Sequence, residues 1–476
     1  MQAFNQFDTS IIIGMVVVYI AFTSWLTVKL RSKTSSEFMV GGRAMPAVIV
    51  GVLLMSEFIG AKSTIGTAQA AFDSGIAASW SVLSAAVGFP LFGLFMAKRL
   101  YNSGEFTISG AISKRYGRST ELVVSVIMIY ALLLVNVGNY VSGAASIATV
   151  MHVSLPVAAF IIAIVSTFYF AFGGLKSVAY VSTIHTAFKY IGVLVVLGVA
   201  LYMTKGVSPI IEKLPPFYFT WDGHIGASTI VAFFIGNIGA IFSTQYIIQA
   251  ISSTKNAAAA RSSTYTAAIL SVPISIALGL IGVAAKYLYP DMNSLYALPV
   301  FLQSMNVFLA GFVTVSLVAS IFVGVSTVAL AISSLIVRDF YVPYFTPTPE
   351  RQFRTTRVLS LVIGFIPLIF VFFAPGLLHL SFFTRALRLS ISIVAVIGFY
   401  LPFFNGDRGA TFGLLGAAVT TTIWYLLGDP YGIDNMYIAL VTPPLIIFIE
   451  KLFHWREGSQ VAREASSGVS GKLPTS

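Results

Sequence analysis

Cysteine is absent from this chain and charge is scarce, Asp, Glu, Lys and Arg making up 9% of its 476 residues. The first absence excludes disulfides, thiol catalysis and Cys-ligated metals, though it says nothing of compartment. The second, beside a hydrophobic share of 57% and an aromatic share of 14%, excludes a soluble domain of this size. His152, His224, His379 and His454 lie at span ends or in loops and form no metal-ligand spacing. No Gly-x-x-x-x-Gly-Lys loop is present to cradle phosphate, and no extramembrane stretch is large enough for a soluble domain. Pumping by ATP hydrolysis would therefore need a separate subunit. Paired acids and histidine clusters are also missing, which disfavours an intramembrane enzyme.

What is present is apolar sequence of spanning length, repeated along the chain. Thirteen spans are expected, at about 8–29, 45–71, 79–97, 121–150, 154–173, 179–203, 226–250, 261–286, 305–336, 355–373, 378–403, 410–427 and 435–453. Residues 2–7 lack a basic region, so the first span is expected to be retained rather than cleaved. With the N-terminus outside, 21 of the 28 Lys and Arg fall in inner loops or the C-terminal tail, and only Lys205, Lys213 and Lys286 fall in outer loops. Positive charge collects on the cytoplasmic side, so the expected topology is N-out and C-in. The net charge of +11 is thus a topology signal, and nucleic acid is not an expected partner. The expected partners are the lipid bilayer and a small-molecule solute, with no obligate protein partner. Residues 1–455 read as one transmembrane domain and 456–476, rich in Ser, Gly and Ala, as a disordered tail.

The second span holds the polar stretch Ser56-Glu57-Phe58-Ile59-Gly60-Ala61-Lys62-Ser63-Thr64-Ile65-Gly66-Thr67. A charge at that depth costs at least about 2.5–3.5 kcal/mol, so it rarely faces lipid. Gly60 weakens the helix where the polar groups gather, and irregular backbone survives in a bilayer only inside protein or beside a cavity. A break is expected near Gly60, matched in the seventh span by one near Gly236-Asn237-Ile238-Gly239. Spans 2–6 (about 45–203) and 7–11 (about 226–403) then form two five-helix halves, the second inverted. Interrupted helices at matching positions point to a midplane site in a secondary transporter.

Glu57 is the one acid expected well inside a span, either as a proton or cation site or as the partner of Lys62; both readings stay open. Lys62 cannot easily reach an interface from mid-span. Lys189, with His185 one turn before it, is a second coupling candidate, although a lysine near a span end can snorkel along its stem. Arg385 and Arg388, one turn apart near the outer end of the eleventh span, could face an anionic solute, but snorkelling to the outer headgroups is the favoured reading. Asn136 and Asn139 read as interhelical glue. Most hydroxyls in spans are satisfied by the carbonyl one turn back, less so Ser56, Ser63, Thr64 and Thr67 beside freed carbonyls.

Several motifs together resemble the sodium/solute symporter family, whose members carry sugars, proline, pantothenate and sialic acid. They are Gly41-Gly42-Arg43, the inner loop Ser113-Lys114-Arg115-Tyr116-Gly117, and Phe172-Gly173-Gly174-Leu175-Lys176. Gln245-Tyr246-Ile247-Ile248-Gln249 closes the seventh span, and Ser333-Ser334 with Arg338-Asp339-Phe340-Tyr341 closes the ninth. The resemblance implies an all-α polytopic fold of the LeuT type with two inverted repeats and alternating access. It implies a sodium site at backbone oxygens near Ser56 and Ile59, completed by positions matching Ser320, Val323 and Gly324. Relatives commonly carry adjacent hydroxyls where this chain has Val323-Gly324, though Ser326 and Thr327 follow within a turn. Ser182 stands where relatives often carry an acid. Solute contacts are implied at Phe58, Ser63, Asn237 and Gln245.

The expectation is a cation-coupled secondary transporter of a small organic solute, not an enzyme, in a bacterial inner membrane. It needs no cofactor beyond a co-transported ion, sodium by the resemblance. The alternative is proton coupling or none, with the ammonium of Lys62 or Lys189 standing in for sodium. A hydroxyl at Gly324 should then strengthen a merely impaired sodium site. Lys62 favours a carboxylate as solute. A non-transporting membrane sensor is the further rival.

Overall fold

The structure, a computed structural model, describes residues 4–467 apart from 152, 171–172, 374–376, 402 and 404–405. Phe172, His152 and the end of the tail (468–476) therefore lie outside the described residues. Those described are helical, with no strand among them. In a bilayer this follows from the backbone, whose N–H and C=O groups must be satisfied within the segment.

The helices run α1 (Gln6–Lys29), α2 (Ala47–Phe58), α3 (Ala61–Ser74), α4 (Ala85–Phe95), α5 (Ile108–Met151), α6 (Leu155–Phe170) and α7 (Gly174–Met203). They continue as α8 (Ala227–Ser243), α9 (Gln245–Ser252), α10 (Ala257–Leu288), α11 (Val307–Leu335), α12 (Pro349–Phe365), α13 (Leu377–Tyr400), α14 (Asp407–Leu426) and α15 (Asn435–Ser467). Among the described residues ten helices are long and apolar enough to cross a membrane, or twelve if each of two bent pairs counts as one span. The expectation of thirteen also counted α6, which is apolar but shorter. The last helix reaches Ser467, so part of the expected disordered tail is helical.

The two bent pairs are α2 with α3, turned by 51°, and α8 with α9, turned by 49°. The first lies where the sequence puts it. The second does not: α8 runs intact through Gly236 and Gly239, and the chain turns at Thr244 (φ −62°, ψ 126°). A glycine inside a helix costs only about 1 kcal/mol and keeps its backbone bonds. These two glycines serve close packing instead. A Cβ at Gly236 would lie 2.5 Å from Met436 Cε, and one at Gly239 would lie 2.3 Å from Leu389 Cδ1. The expected inner loop at 113–117 is likewise helical, with α5 bending at Gly117 (φ +80°).

α11 is the axis of the bundle. All its residues from Val313 to Leu335 are buried, and it packs on α7, α5 and α1. At the end that carries the basic loops a charged network ties it down. Arg338 pairs with Glu105 (2.9 Å), Glu121 (3.1 Å) and Asp339 (3.4 Å), and Arg118 pairs with Glu121 (3.0 Å). The fully buried Asp339 accepts from Ser109 Oγ at 2.5 Å and from Ser125 Oγ. Arg338 is the cation these three carboxylates share; without it, among the described residues, Glu121 keeps only Arg118 and Glu105 only Lys114 (3.4 Å), so Arg338→Ala should part this end. The absence of cysteine makes the test clean. A cysteine at Ser252, which is 3% exposed beside the Glu105 carbonyl, should react with maleimide several-fold faster in the Arg338→Ala background. An equal rate would show that the network does not hold this end shut.

Candidate functional site

Of the carbonyls that the first break frees, those of Phe58 and Ile59 find side-chain donors. At Ile59 (φ −98°, ψ 61°) and Gly60 (ψ −172°) the chain leaves the helix, so α2 cannot hand its hydrogen bonds on to α3. Ser63 Oγ donates to the Phe58 carbonyl (3.2 Å), and Thr64 donates to the Gly60 carbonyl through both Oγ1 and its backbone N (3.0 Å each). The Ile59 carbonyl receives the Lys189 ammonium at 2.8 Å, and the same Nζ donates to Ser56 Oγ at 3.1 Å.

Lys189 is thus no snorkelling lysine. It is 1% exposed and its stem runs from α7 inward to the break. An ammonium in low dielectric needs oxygen acceptors, and the unwound turn supplies them. Its ammonium occupies oxygens that the resemblance assigns to sodium. Ser182 and His185 lie on the same face, two turns and one turn earlier. Ser182 Oγ is buried without a partner, and His185 Nδ1 shares a hydrogen bond with the Tyr19 hydroxyl of α1.

The α11 side of that implied site is turned in on itself. Ser320 Oγ donates to the Ser316 carbonyl (3.1 Å), Ser326 Oγ to the Val323 carbonyl (3.2 Å) and Thr327 Oγ1 to the same carbonyl (2.8 Å). Gly324 sits against the break, and a Cβ there would lie 2.9 Å from Asn139 Nδ2. That amide already donates to Asn136 Oδ1 at 3.2 Å. Gly324→Ser should therefore cost about 1–3 kcal/mol by overpacking. The expected result is a melting temperature several degrees lower and no gain in sodium response. A sodium-dependent rise in that variant would show that the hydroxyl completes an ion site after all.

On the other side of the break, Glu57, Phe58, Lys62 and Ser63 line a nearly closed cavity with Arg385 and Arg388 of α13. Tyr246 of α9 and Asn139 of α5 complete its wall. It measures about 10 Å³ to the centre of a water-sized sphere, room for about one water. The two arginines are 3% and 2% exposed, which corrects the expectation that they reach the headgroups. Arg388 is held by Thr384, accepting from Nε through its carbonyl (2.9 Å), and by Thr244 Oγ1, accepting from Nη1 (2.9 Å). It thereby ties α13 to the turn of the second bent pair. Arg385 Cζ lies 5.1 Å from the centre of the Phe58 ring and 4.5 Å from that of Phe382, and the guanidinium donates once, to the Ser81 carbonyl (3.2 Å).

Glu57 and Lys62 do not pair. Among the described residues both Glu57 carboxylate oxygens lack a hydrogen-bond partner, and no ion pair joins the two. The Lys62 stem crosses α5 at Gly138, where a Cβ would sit 2.3 Å from its Cδ.

Beyond Phe382 the cavity gives way to a vestibule of about 350 Å³ at the end opposite the basic loops. Phe382 stacks on Phe233 at 4.1 Å, and both rings also line the vestibule.

Two of the expected solute contacts lie elsewhere. Gln245 uses both ends of its amide, donating to the Phe106 carbonyl (2.9 Å) and accepting from the Ile108 N–H (3.0 Å), so it clamps α9 to the start of α5. Asn237 donates to the Ser81 carbonyl (2.9 Å) and to Ser84 Oγ, outside the cavity lining. With the break displaced to Thr244, no unwound turn exposes it. Phe58 and Ser63 do line the cavity. So do Arg385 and Arg388, two arginines one turn apart in an apolar stretch, together with Tyr246, which nothing in the sequence singles out.

The model of the sodium:solute symporter family matches residues 38–416. The sodium/glucose cotransporter of Vibrio parahaemolyticus is 22% identical over 375 residues, 70% of this chain and 68% of that one. Solute carrier family 5 member 4B of Mus musculus is 26% identical over 211 residues, 44% of this chain. That match spans 32% of the mouse protein's length. In three dimensions the fold is similar to that of a Na+-coupled sialic acid symporter solved in a substrate-bound outward-open state. The TM-score is 0.80 at 18% identity, over 93% of this chain and 98% of the other.

Proposed function

Because the chain belongs to the sodium:solute symporter family, a family of transporters and not of enzymes, we propose that it moves a small organic solute across the membrane by alternating access, driven by protons through Lys189. The observation that carries this reading is the ammonium seated on the Ile59 carbonyl and Ser56 Oγ. A hydrogen bond from a charged donor contributes about 1.5–3 kcal/mol, more than a neutral one. Protonation of Lys189 therefore strengthens the tie between α7 and the break, and loss of the proton loosens it. The charged and titratable groups around Lys189 are few: His185 on its own helix, Tyr19 beside His185, and Glu57 on α2, which faces the other cavity. The residues 307–335 of α11 include none.

The oriented picture is N-out and C-in, with the vestibule on the outer side and the Arg338 network closing the inner one. Phe233 and Phe382 separate the vestibule from the cavity, which is closed in this state and must widen to admit a solute. The membrane is an inner (plasma) membrane, and the two halves starting at the bent pairs are the inverted repeats.

A second reading, sodium coupling with Lys189 displaced by the ion, is favoured by the family match over residues 38–416. One comparison separates the two. Uptake into proteoliposomes, driven by an imposed pH gradient in choline chloride, is expected to equal that in sodium chloride. Uptake that requires sodium and ignores the pH gradient would select the second reading. No uptake under either gradient, with solute still bound, would leave a membrane sensor.

A further inference from the structure

We infer that the solute is a small dicarboxylate, gripped by Arg385, Lys62 and Arg388 in the cavity beside the first break. This rests on the reading of that cavity as the solute site. Three cationic side chains and one carboxylate, Glu57, line it, each 2–5% exposed. Counted at their ordinary ionisation they leave a formal excess of two positive charges. Buried charges are paired or held by hydrogen bonds in stable proteins. Here they are not. Lys62 forms no hydrogen bond or ion pair among the described residues, and Glu57 accepts none. Arg385 has five N–H donors and uses one of them, toward Ser81.

The contacts with the Phe58 and Phe382 rings use none of the Arg385 N–H groups, so the remaining donors of the guanidinium stay available to a carboxylate, which can bind there in bidentate fashion. Arg388 is committed to Thr384 and Thr244 and contributes mainly charge. Two carboxylates on the solute close the charge count; a neutral sugar or a zwitterion leaves it open. The vestibule does not share this preference, since Asp73 and Asp434 line it with His379. Selection for the anion therefore occurs below Phe382. The cavity holds about one water in this state, so it must widen before any dicarboxylate enters.

The test uses the full chain purified in detergent, without any gradient. Binding is followed by thermal shift and calorimetry with three- to six-carbon dicarboxylates, succinate among them, and with lactate, glucose and proline. Succinate or a homologous dicarboxylate should stabilise the protein, lactate should do so less, and glucose and proline not at all. Arg385→Gln and Lys62→Gln should each weaken the dicarboxylate at least tenfold, and Arg385→Lys should fall between wild type and Arg385→Gln. Melting curves of the free variants establish that they are folded.

Binding of glucose or proline with no carboxylate bound would overturn the inference, as would silence from every dicarboxylate. So would unchanged affinity in two folded variants, Arg385→Gln and Lys62→Gln. Dicarboxylate binding without uptake under any ion gradient supports the inference while failing the transport reading. Uptake of glucose with no dicarboxylate binding does the reverse.

Discussion

Lys189→Gln is expected to lower solute uptake at least tenfold and to abolish its response to an imposed pH gradient. The substitution is chosen because glutamine is nearly as long and can still donate to the Ile59 carbonyl, yet it has no proton to exchange. The charge-assisted part of that bond, about 1.5–3 kcal/mol, corresponds to roughly ten- to a hundredfold in any equilibrium it controls. A purely structural role for Lys189 would give a different pattern. The melting temperature would fall and the remaining uptake would keep the wild-type dependence on the gradient. Uptake by proteoliposomes at matched protein content decides between them, and a wild-type pH response in Lys189→Gln would remove Lys189 from coupling.

Arg388→Leu should be the most destabilising single change near the cavity. Its guanidinium donates to the Thr384 carbonyl and to Thr244 Oγ1, both at 2.9 Å, and Ser243 Oγ donates back to its own carbonyl at 2.7 Å. The side chain therefore fastens α13 to the only turn in the α8–α9 pair. Losing two charge-assisted bonds and leaving buried acceptors unsatisfied costs about 3 kcal/mol or more. Leucine also fails to fill the volume of an arginine. The expected readout is a melting temperature lowered by several degrees for the purified protein, together with a poor yield of monodisperse material. Arg388→Lys should recover part of the loss, since it restores charge and one donor. A variant as stable as wild type would mean that the second turn holds without α13.

Much of the architecture is legible from residue types because the bilayer permits few alternatives. Long apolar runs must be helices, and a carboxylate and an ammonium five residues apart in one of them, Glu57 and Lys62, must lie inside protein. The first break was legible for the same reason, since polar groups and glycine coincide at Ser56 to Gly66. The second was not. Glycine marks both an unwound turn and a close helix contact, and only the positions of Met436 and Leu389 distinguish the two at Gly236 and Gly239. Asn237 and Gln245 carry a related ambiguity, since an amide suits a solute and a neighbouring backbone equally well; here their amide nitrogens donate to the Ser81 and Phe106 carbonyls.

Arg385 and Arg388 show the limit most clearly. Arginines near the end of a span read as headgroup anchors, because a long side chain can reach water from there. Whether it does depends on which way the helix faces, and α13 turns both inward against the first bent pair. Lys189 could be offered from sequence as a stand-in for sodium but not chosen, since its reach to the Ile59 carbonyl depends on how α7 packs across the break. Composition and hydropathy by themselves determined that this is a polytopic helical membrane protein with a polar, interrupted second span, because transfer energies act residue by residue. Which charges meet, and which carbonyl each ammonium holds, was decided only by tertiary packing, because helix rotation and tilt place side chains that lie more than a hundred residues apart in the chain.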